Sequence, residues 1–206
     1  MTNIIVVGGG AAGLLAGIAA TELGAQVMIL EKMRTPGRKM LITGKGRCNI
    51  TNNCEIAEII RNLPGNGRFL NSALHRFSND DMIYLLESHG LQTKVERGGR
   101  VFPVTDKAKD VVDTLLNIYR EKGGKLLVDQ TVSKILIEDG CVAGVVTNDG
   151  NKYTADAVII TTGGASYPGT GSDGNGFTLA KACGHTIITL KPSLVPLESD
   201  SEYIKS

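Results

Sequence analysis

The stretch Gly8-Gly9-Gly10-Ala11-Ala12-Gly13 constrains this chain most, because of what stands on either side of it. Ile4 to Val7 is a short β-branched run, the pattern of a strand buried in a parallel sheet. Ala11 to Leu23 is rich in helix formers and stops before Gly24, a C-cap candidate. Gln26 to Leu30 is a second apolar strand and closes on Glu31. Strand, glycine turn, helix and strand in about thirty residues make a β-α-β unit.

Within that unit the glycines have separate uses. Gly8 permits the tight turn, Gly10 lets a pyrophosphate approach the backbone, and Gly13 packs helix against strand. The backbone at Ala11 and Ala12 then offers the free N–H groups and positive dipole end of a helix N-terminus to an anion. Glu31 follows Gly13 by 18 residues, where a carboxylate can bind both ribose hydroxyls, with Lys32 beside it. An acid there also argues against a ribose 2′-phosphate. This is a dinucleotide site on a Rossmann-type parallel sheet.

A second feature is the block GRKMLITGKGRCNITN at 37–52, with the cations Arg38, Lys39, Lys45 and Arg47 and no acid between Glu31 and Glu55. A nucleic-acid surface would interleave aromatics for base stacking, and the first aromatic residue is Phe69. The chain carries 22 basic and 21 acidic residues, a formal charge of +1, so no global field draws it to nucleic acid or an anionic membrane. The alternation of Gly44 and Gly46 lets backbone N–H groups point inward onto an anion or a ring edge. The block reads as a second, loop-based hold on the same dinucleotide. Thr161-Thr162-Gly163-Gly164 ends a further apolar strand, 157–161, and places a glycine turn where open α/β sheets bind ligands.

The remaining chain fits an α/β domain. Residues 32–53 lack a period and read as a long loop, with helical patterns at 54–61, 68–75 and 79–89. Arg97 to Arg100 reads as a turn between two short strands, and Asp106 as the N-cap of a helix running to about Lys122. Apolar segments at 125–128, 131–138, 141–147 and 152–155, two of their gaps holding Asp-Gly pairs, predict an inserted β-meander. A helix at 177–183 stops at Gly184. Four cysteines at 48, 54, 141 and 183 form no CxxC pair and no zinc spacing, so no metal site is expected and the thiols read as reduced. The apolar N-terminus lacks the basic start of a signal peptide, and no run reaches the ~20 apolar residues of a membrane span. The expectation is a cytoplasmic protein without membrane or nucleic-acid partners.

Gly8 to Gly13, Glu31, the 37–52 block, Gly99-Arg100-Val101-Phe102-Pro103 and TTGGASYPGTGSDGNG resemble the HI0933-like flavoprotein family, whose members include aminoacetone oxidases and bile-acid enone reductases. The resemblance implies FAD in a glutathione-reductase-like domain. Gly8, Gly10, Ala12 and Gly13 would hold the pyrophosphate, and Glu31 the adenosine ribose. Arg38, Lys39, Cys48 and Asn49 would line the path to the flavin, together with Gly44, Gly46 and Arg47 of the same block. Val132 would touch adenine through its backbone, and Thr162, Gly163 and Gly164 would close over the nucleotide. Lys45 stands where relatives carry a small residue, and Thr161 replaces a common alanine.

Family members are about twice as long, so the resemblance implies an N-terminal fragment. Residues 1–191 would be the FAD-binding domain, incomplete at its C-terminus. Residues 192–206, with Leu194 to Leu197, would open a second, largely absent domain. The expected function is an FAD-dependent oxidoreductase moving a hydride between flavin N5 and either a small-molecule substrate or NAD(P)H, by amine or ketone oxidation or enone reduction. The fragment alone is expected to be inactive. The alternatives are an NAD-binding dehydrogenase without flavin and a non-catalytic flavin- or RNA-associated module. No catalytic base is named: His75, His89 and His185 fall outside the glycine motifs.

Overall fold

The structure, a computed structural model, describes residues 1–191. The chain opens with β1 (Asn3–Val7), α1 (Ala11–Glu22) and β2 (Gln26–Leu30). A short helix α2 (Arg38–Ile42) and a 3-10 turn (Thr43–Gly46) lead to the two-residue strand β3 (Thr51–Asn52). Helices α3 (Ile56–Asn62), α4 (Asn71–Arg76) and α5 (Asn79–Ser88) precede the hairpin of β4 (Thr93–Glu96) and β5 (Arg100–Pro103). Then come α6 (Ala108–Glu121), β6 (Lys125–Leu127), β7 (Val132–Glu138), β8 (Cys141–Thr147), β9 (Lys152–Thr154), β10 (Ala157–Ile160) and α7 (Asn175–Ala182).

The central sheet is parallel, in the order β10-β1-β2-β6. Its side chains alternate between two cores, as strand geometry requires. Val6, Val27 and Ile29 pack with Leu14 and Ile18 of α1 and with Val111, Leu115, Ile118 and Tyr119 of α6. Ile5, Val7 and Leu30 face the other way, against Val132, Ile135 and Val145 of the meander and Leu179 of α7. Both faces are covered, which explains why these strands read as continuous apolar runs.

Tyr119 binds the first core to the sheet. Its ring is fully buried, and its hydroxyl lies 2.9 Å from the carbonyls of both Val27 and Lys125, on neighbouring strands. Gly17 of α1 and Gly124 before β6 leave room for that ring, since a methyl group at either would strike it.

Four expectations need correction. The 32–53 segment is not an irregular loop: it contains α2, the 3-10 turn and β3. The run at 125–128 is not part of the meander. As β6 it pairs in parallel with Met28 to Leu30, leaving the meander three strands, β7-β8-β9. Asp106 does not cap α6, because Lys107 occupies the N-cap and no side chain caps it. The Asp106 carboxylate instead lies 2.6 Å from Lys94 Nζ and 3.3 Å from an Arg47 nitrogen. The last helix starts two residues earlier than expected, at Asn175. Leu194 to Leu197 and the expected second domain lie outside the described residues.

Candidate functional site

A cleft of about 700 Å³ opens at the carboxyl ends of β1, β2 and β10. Gly8 ends β1 with φ +106°, and a Cβ there would lie 2.8 Å from the Thr161 carbonyl oxygen, so only glycine lets β1 and β10 end this closely. The Thr161 hydroxyl lies 2.9 Å from Gly8 O and 3.0 Å from Val7 O, which gives the threonine in place of alanine a hydrogen-bonding use. The side-chain-free faces of the motif then differ in purpose. A Cβ on Gly10 would meet nothing within 4 Å, leaving the cleft open to a ligand; one on Gly13 would collide with the Gly8 carbonyl. Gly10 is the N-cap of α1 and supplies no side-chain cap, and the first turn holds no acid. An open helix N-terminus of this kind suits an anionic group.

Glu31 is 8% exposed at the end of β2. Its two carboxylate oxygens accept hydrogen bonds from the Gly9 N–H, at 2.6 Å, and the Met33 N–H, at 2.7 Å. Lys32 Nζ lies 2.7 Å from Asp173 Oδ1, although the approach is not that of an aligned hydrogen bond. The contact with Lys32 holds the Asp173 carboxyl below its ordinary value. Lys39 Nζ donates to the carbonyl of Ser166, at 3.0 Å, and lies 3.3 Å from its hydroxyl. Two lysines of the segment after β2 thus tether the glycine-rich loop after β10. That loop brings Thr162, Gly163 and the buried Ser172 to the cleft, and the Gly164 carbonyl closes it by accepting from the Gly174 N–H at 3.1 Å.

Most of the residues expected from sequence meet at this cleft. Gly8, Gly10, Ala11, Ala12, Glu31, Lys32, Arg38, Lys39, Cys48, Asn49, Val132, Thr162 and Gly163 all line it. The Val132 carbonyl accepts from the Asn175 side-chain amide at 2.9 Å. Gly13 stands behind the lining as a packing residue, and Gly164 lies outside it.

Gly44, Gly46 and Arg47 also lie outside the lining, contrary to the expectation of a direct grip. Gly44 packs its backbone on Phe102, where a Cβ would lie 2.9 Å from the ring and from the Asn49 nitrogen. Arg47 points away from the cleft, 2.8 Å from Glu96 and 4.1 Å above the Phe102 ring. Cys48 is 4% exposed with φ +62°. Burial pushes its thiol up, opposed by a hydrogen bond to Thr43, so the group is an uncharged thiol at neutral pH.

Sequence reasoning missed the far end of the cleft. Ile59, Leu74, Phe77 and Met82 give it apolar walls, and the buried Asn79 donates to the carbonyls of Asn52 and Cys54 at 2.8 and 3.0 Å. The available signal was Ser78-Asn79-Asp80-Asp81, whose reciprocal Ser78–Asp81 capping box starts α5 at the cleft. None of the three histidines lines the cleft. Among the described residues there is no group of acids, histidines and cysteines suited to a metal, and no helix is long and apolar enough to cross a membrane.

Curated relatives match nearly the whole chain. A 3-dehydro-bile acid delta(4,6)-reductase of Clostridium scindens is 36% identical over 96% of this chain and 48% of its own length. A ribosomal RNA dihydrouridine synthase of Escherichia coli is 33% identical over 94% of this chain and 47% of its own length. The chain therefore spans about half the length of these relatives. Among solved structures, a flavocytochrome c3 fumarate reductase aligns with a TM-score of 0.67 at 23% identity, over 88% of this chain and 40% of that one. Sdh1 of Mycobacterium smegmatis aligns at 0.65 with 21% identity, over 88% and 38%. These structural likenesses show the fold, a Rossmann-type α/β domain. The model of the HI0933-like protein Rossmann domain matches residues 2–194, and the chain belongs to that family.

Proposed function

We propose that the cleft holds FAD and that the protein is a flavin-dependent reductase of a carbon–carbon double bond conjugated to a carbonyl. One observation carries the cofactor assignment. An unfilled backbone cradle at Gly10, a ribose-binding acid at Glu31 and the Cys48–Asn49 lip line one continuous cleft. A nicotinamide dinucleotide alone leaves the 37–52 block without a use. In the bound state, Gly10 to Ala12 would hold the pyrophosphate, Glu31 the adenosine ribose, and Arg38, Lys39 and Asn49 the flavin end. FAD would supply hydride transfer at N5, and the protein's part is to orient it and exclude water.

The substrate class comes from the chemistry shared by the two relatives' names. A delta(4,6)-bile acid carries an enone, and the uracil ring reduced to dihydrouracil carries a double bond next to a carbonyl. Ile59, Leu74, Phe77 and Met82 at the far end favour an apolar ring skeleton over a polyanion. The nucleic-acid reading rests on the ribosomal RNA relative and stands second, since the chain has +1 net charge. NADPH or NADH is the proposed reductant, and four free thiols fit a reducing, cytoplasmic compartment.

The test is the visible spectrum of the full-length protein under anaerobic conditions. Flavin absorption should bleach with NADPH or NADH and return with a 3-keto steroid enone. A colourless protein that takes up no FAD would overturn the cofactor assignment. Reoxidation by uridine-containing RNA but not by the enone would favour the second reading.

A further inference from the structure

Arg47 of the 37–52 block lies outside the cleft lining, and its surroundings give it a different use. One Arg47 nitrogen lies 2.8 Å from Glu96 and 3.3 Å from Asp106, and Lys94 bridges the same two acids at 3.6 and 2.6 Å. The guanidinium carbon sits 4.1 Å from the centre of the Phe102 ring, which is 1% exposed. The Gly44 backbone covers part of the same ring. Between Gly44 and Cys48 the chain holds two non-glycine residues with positive φ, Lys45 at +58° and Cys48 at +62°. Such residues persist only where their surroundings hold them in place. The hydrogen bond from Cys48 N–H to Thr43 O, at 3.0 Å, is local. The turn meets the rest of the domain through the Cys48 side chain in the first core, the Ile50 N–H, which donates to Val101 O on β5 at 2.8 Å, and the Arg47 contacts.

The geometry points to Arg47 as a positioning residue. Clamped by Glu96 and Asp106 and stacked on Phe102, it fixes the strained 44–49 turn from behind, so that Cys48 and Asn49 form the lip of the cleft. The β4–β5 hairpin thereby sets a cofactor contact it does not itself make. The consequence for cofactor binding rests on the assignment of the cleft to FAD; the hold on Cys48 does not. Both partners matter. Removing the guanidinium loosens the turn, leaving only the Cys48 packing and the Ile50–Val101 hydrogen bond, while removing Glu96 leaves stacking and the Asp106 contact as well.

The experiment compares the full chain with Arg47→Met, Arg47→Lys and Glu96→Gln. In cofactor-free protein, alkylation of Cys48 is followed by mass spectrometry against Cys183 as internal reference. Arg47→Met should speed Cys48 labelling about tenfold relative to Cys183, and Glu96→Gln by less, as expected for loss of a charge-assisted contact. Arg47→Lys should restore only part of the protection, because an ammonium cannot stack and fork as the planar guanidinium does. FAD affinity, read by fluorescence, should weaken in the same order. Unchanged Cys48 labelling and unchanged FAD affinity in Arg47→Met would overturn the proposal. So would Cys48 and Cys183 accelerating equally, which reports general unfolding. Should Arg47→Met not fold, Glu96→Gln decides between the same outcomes. A wild type that binds no FAD would defeat the cofactor assignment while the labelling ratio still decides the clamp.

Discussion

The Glu31 carboxylate accepts a 2.6 Å hydrogen bond from the Gly9 N–H, so the acid ending β2 is bound to the turn ending β1. The proposed ribose-binding group and pyrophosphate cradle are therefore fixed relative to each other before any nucleotide arrives. Pre-organisation of this kind reduces the ordering cost of binding.

Glu31→Ala should weaken FAD binding about tenfold to a hundredfold, the range for one or two hydrogen bonds to a charged group. Cys48→Ala should weaken it less, since that thiol is uncharged and packs within the core. Fluorescence titration with FAD checks the order, and the reverse order would sink the ribose assignment.

Two glycines of one motif should separate stability from binding. Gly13→Ala forces a methyl group onto the Gly8 carbonyl, which cannot swing aside, and should cost about 1–3 kcal/mol of stability. Gly10→Ala meets no atom within 4 Å, so thermal unfolding of the cofactor-free protein should be almost unchanged while FAD affinity falls. Differential scanning fluorimetry with and without FAD gives both numbers.

The tether of the glycine-rich loop should act on rates. Lys32 and Lys39 hold it through contacts with Asp173 and Ser166 that are partly open to water. Each such contact is worth less than about 1 kcal/mol, so Lys32→Ala alone should change little, while Lys39→Ala, which also removes a group proposed to hold the flavin end, should change more. The double variant should release FAD up to about tenfold faster. Stopped-flow recovery of flavin fluorescence measures the release rate.

Tyr119 supplies a pH test. Burial raises its phenol from 10.0 to about 12. An acid held protonated in the native state contributes stability that is complete below its unfolded value and is lost as pH climbs to the folded one. Wild type should therefore lose stability relative to Tyr119→Phe between pH 10.0 and about 12, measured by urea unfolding at steps across that interval.

The β1-turn-α1-β2 unit was legible because its signals are local: apolar runs, glycines with steric duties, and an acid at a fixed spacing. What lay hidden depends on partners distant in sequence. Lys125 to Leu127 reads the same in a meander as in a parallel edge strand, and only pairing with Met28 to Leu30 decides. Asp106 carries the mark of an N-cap, yet Lys94 and Arg47 hold its carboxylate elsewhere. The cations of 37–52 look alike in sequence; Arg38 and Lys39 line the cleft while Arg47 turns to Glu96 and Phe102. At five residues, α2 is too short to show a helical period.

The space that Gly17 and Gly124 leave for the Tyr119 ring has an evolutionary reading. A larger residue at either glycine strikes the ring, and a smaller one at Tyr119 leaves a void beneath the β2–β6 edge. Apart from Tyr119→Phe, which keeps the ring, no single replacement among the three leads to another well-packed arrangement. Sequences that depart from this solution should therefore differ at Gly17, Tyr119 and Gly124 together, an inheritance pattern set by one ring's shape rather than by the cofactor.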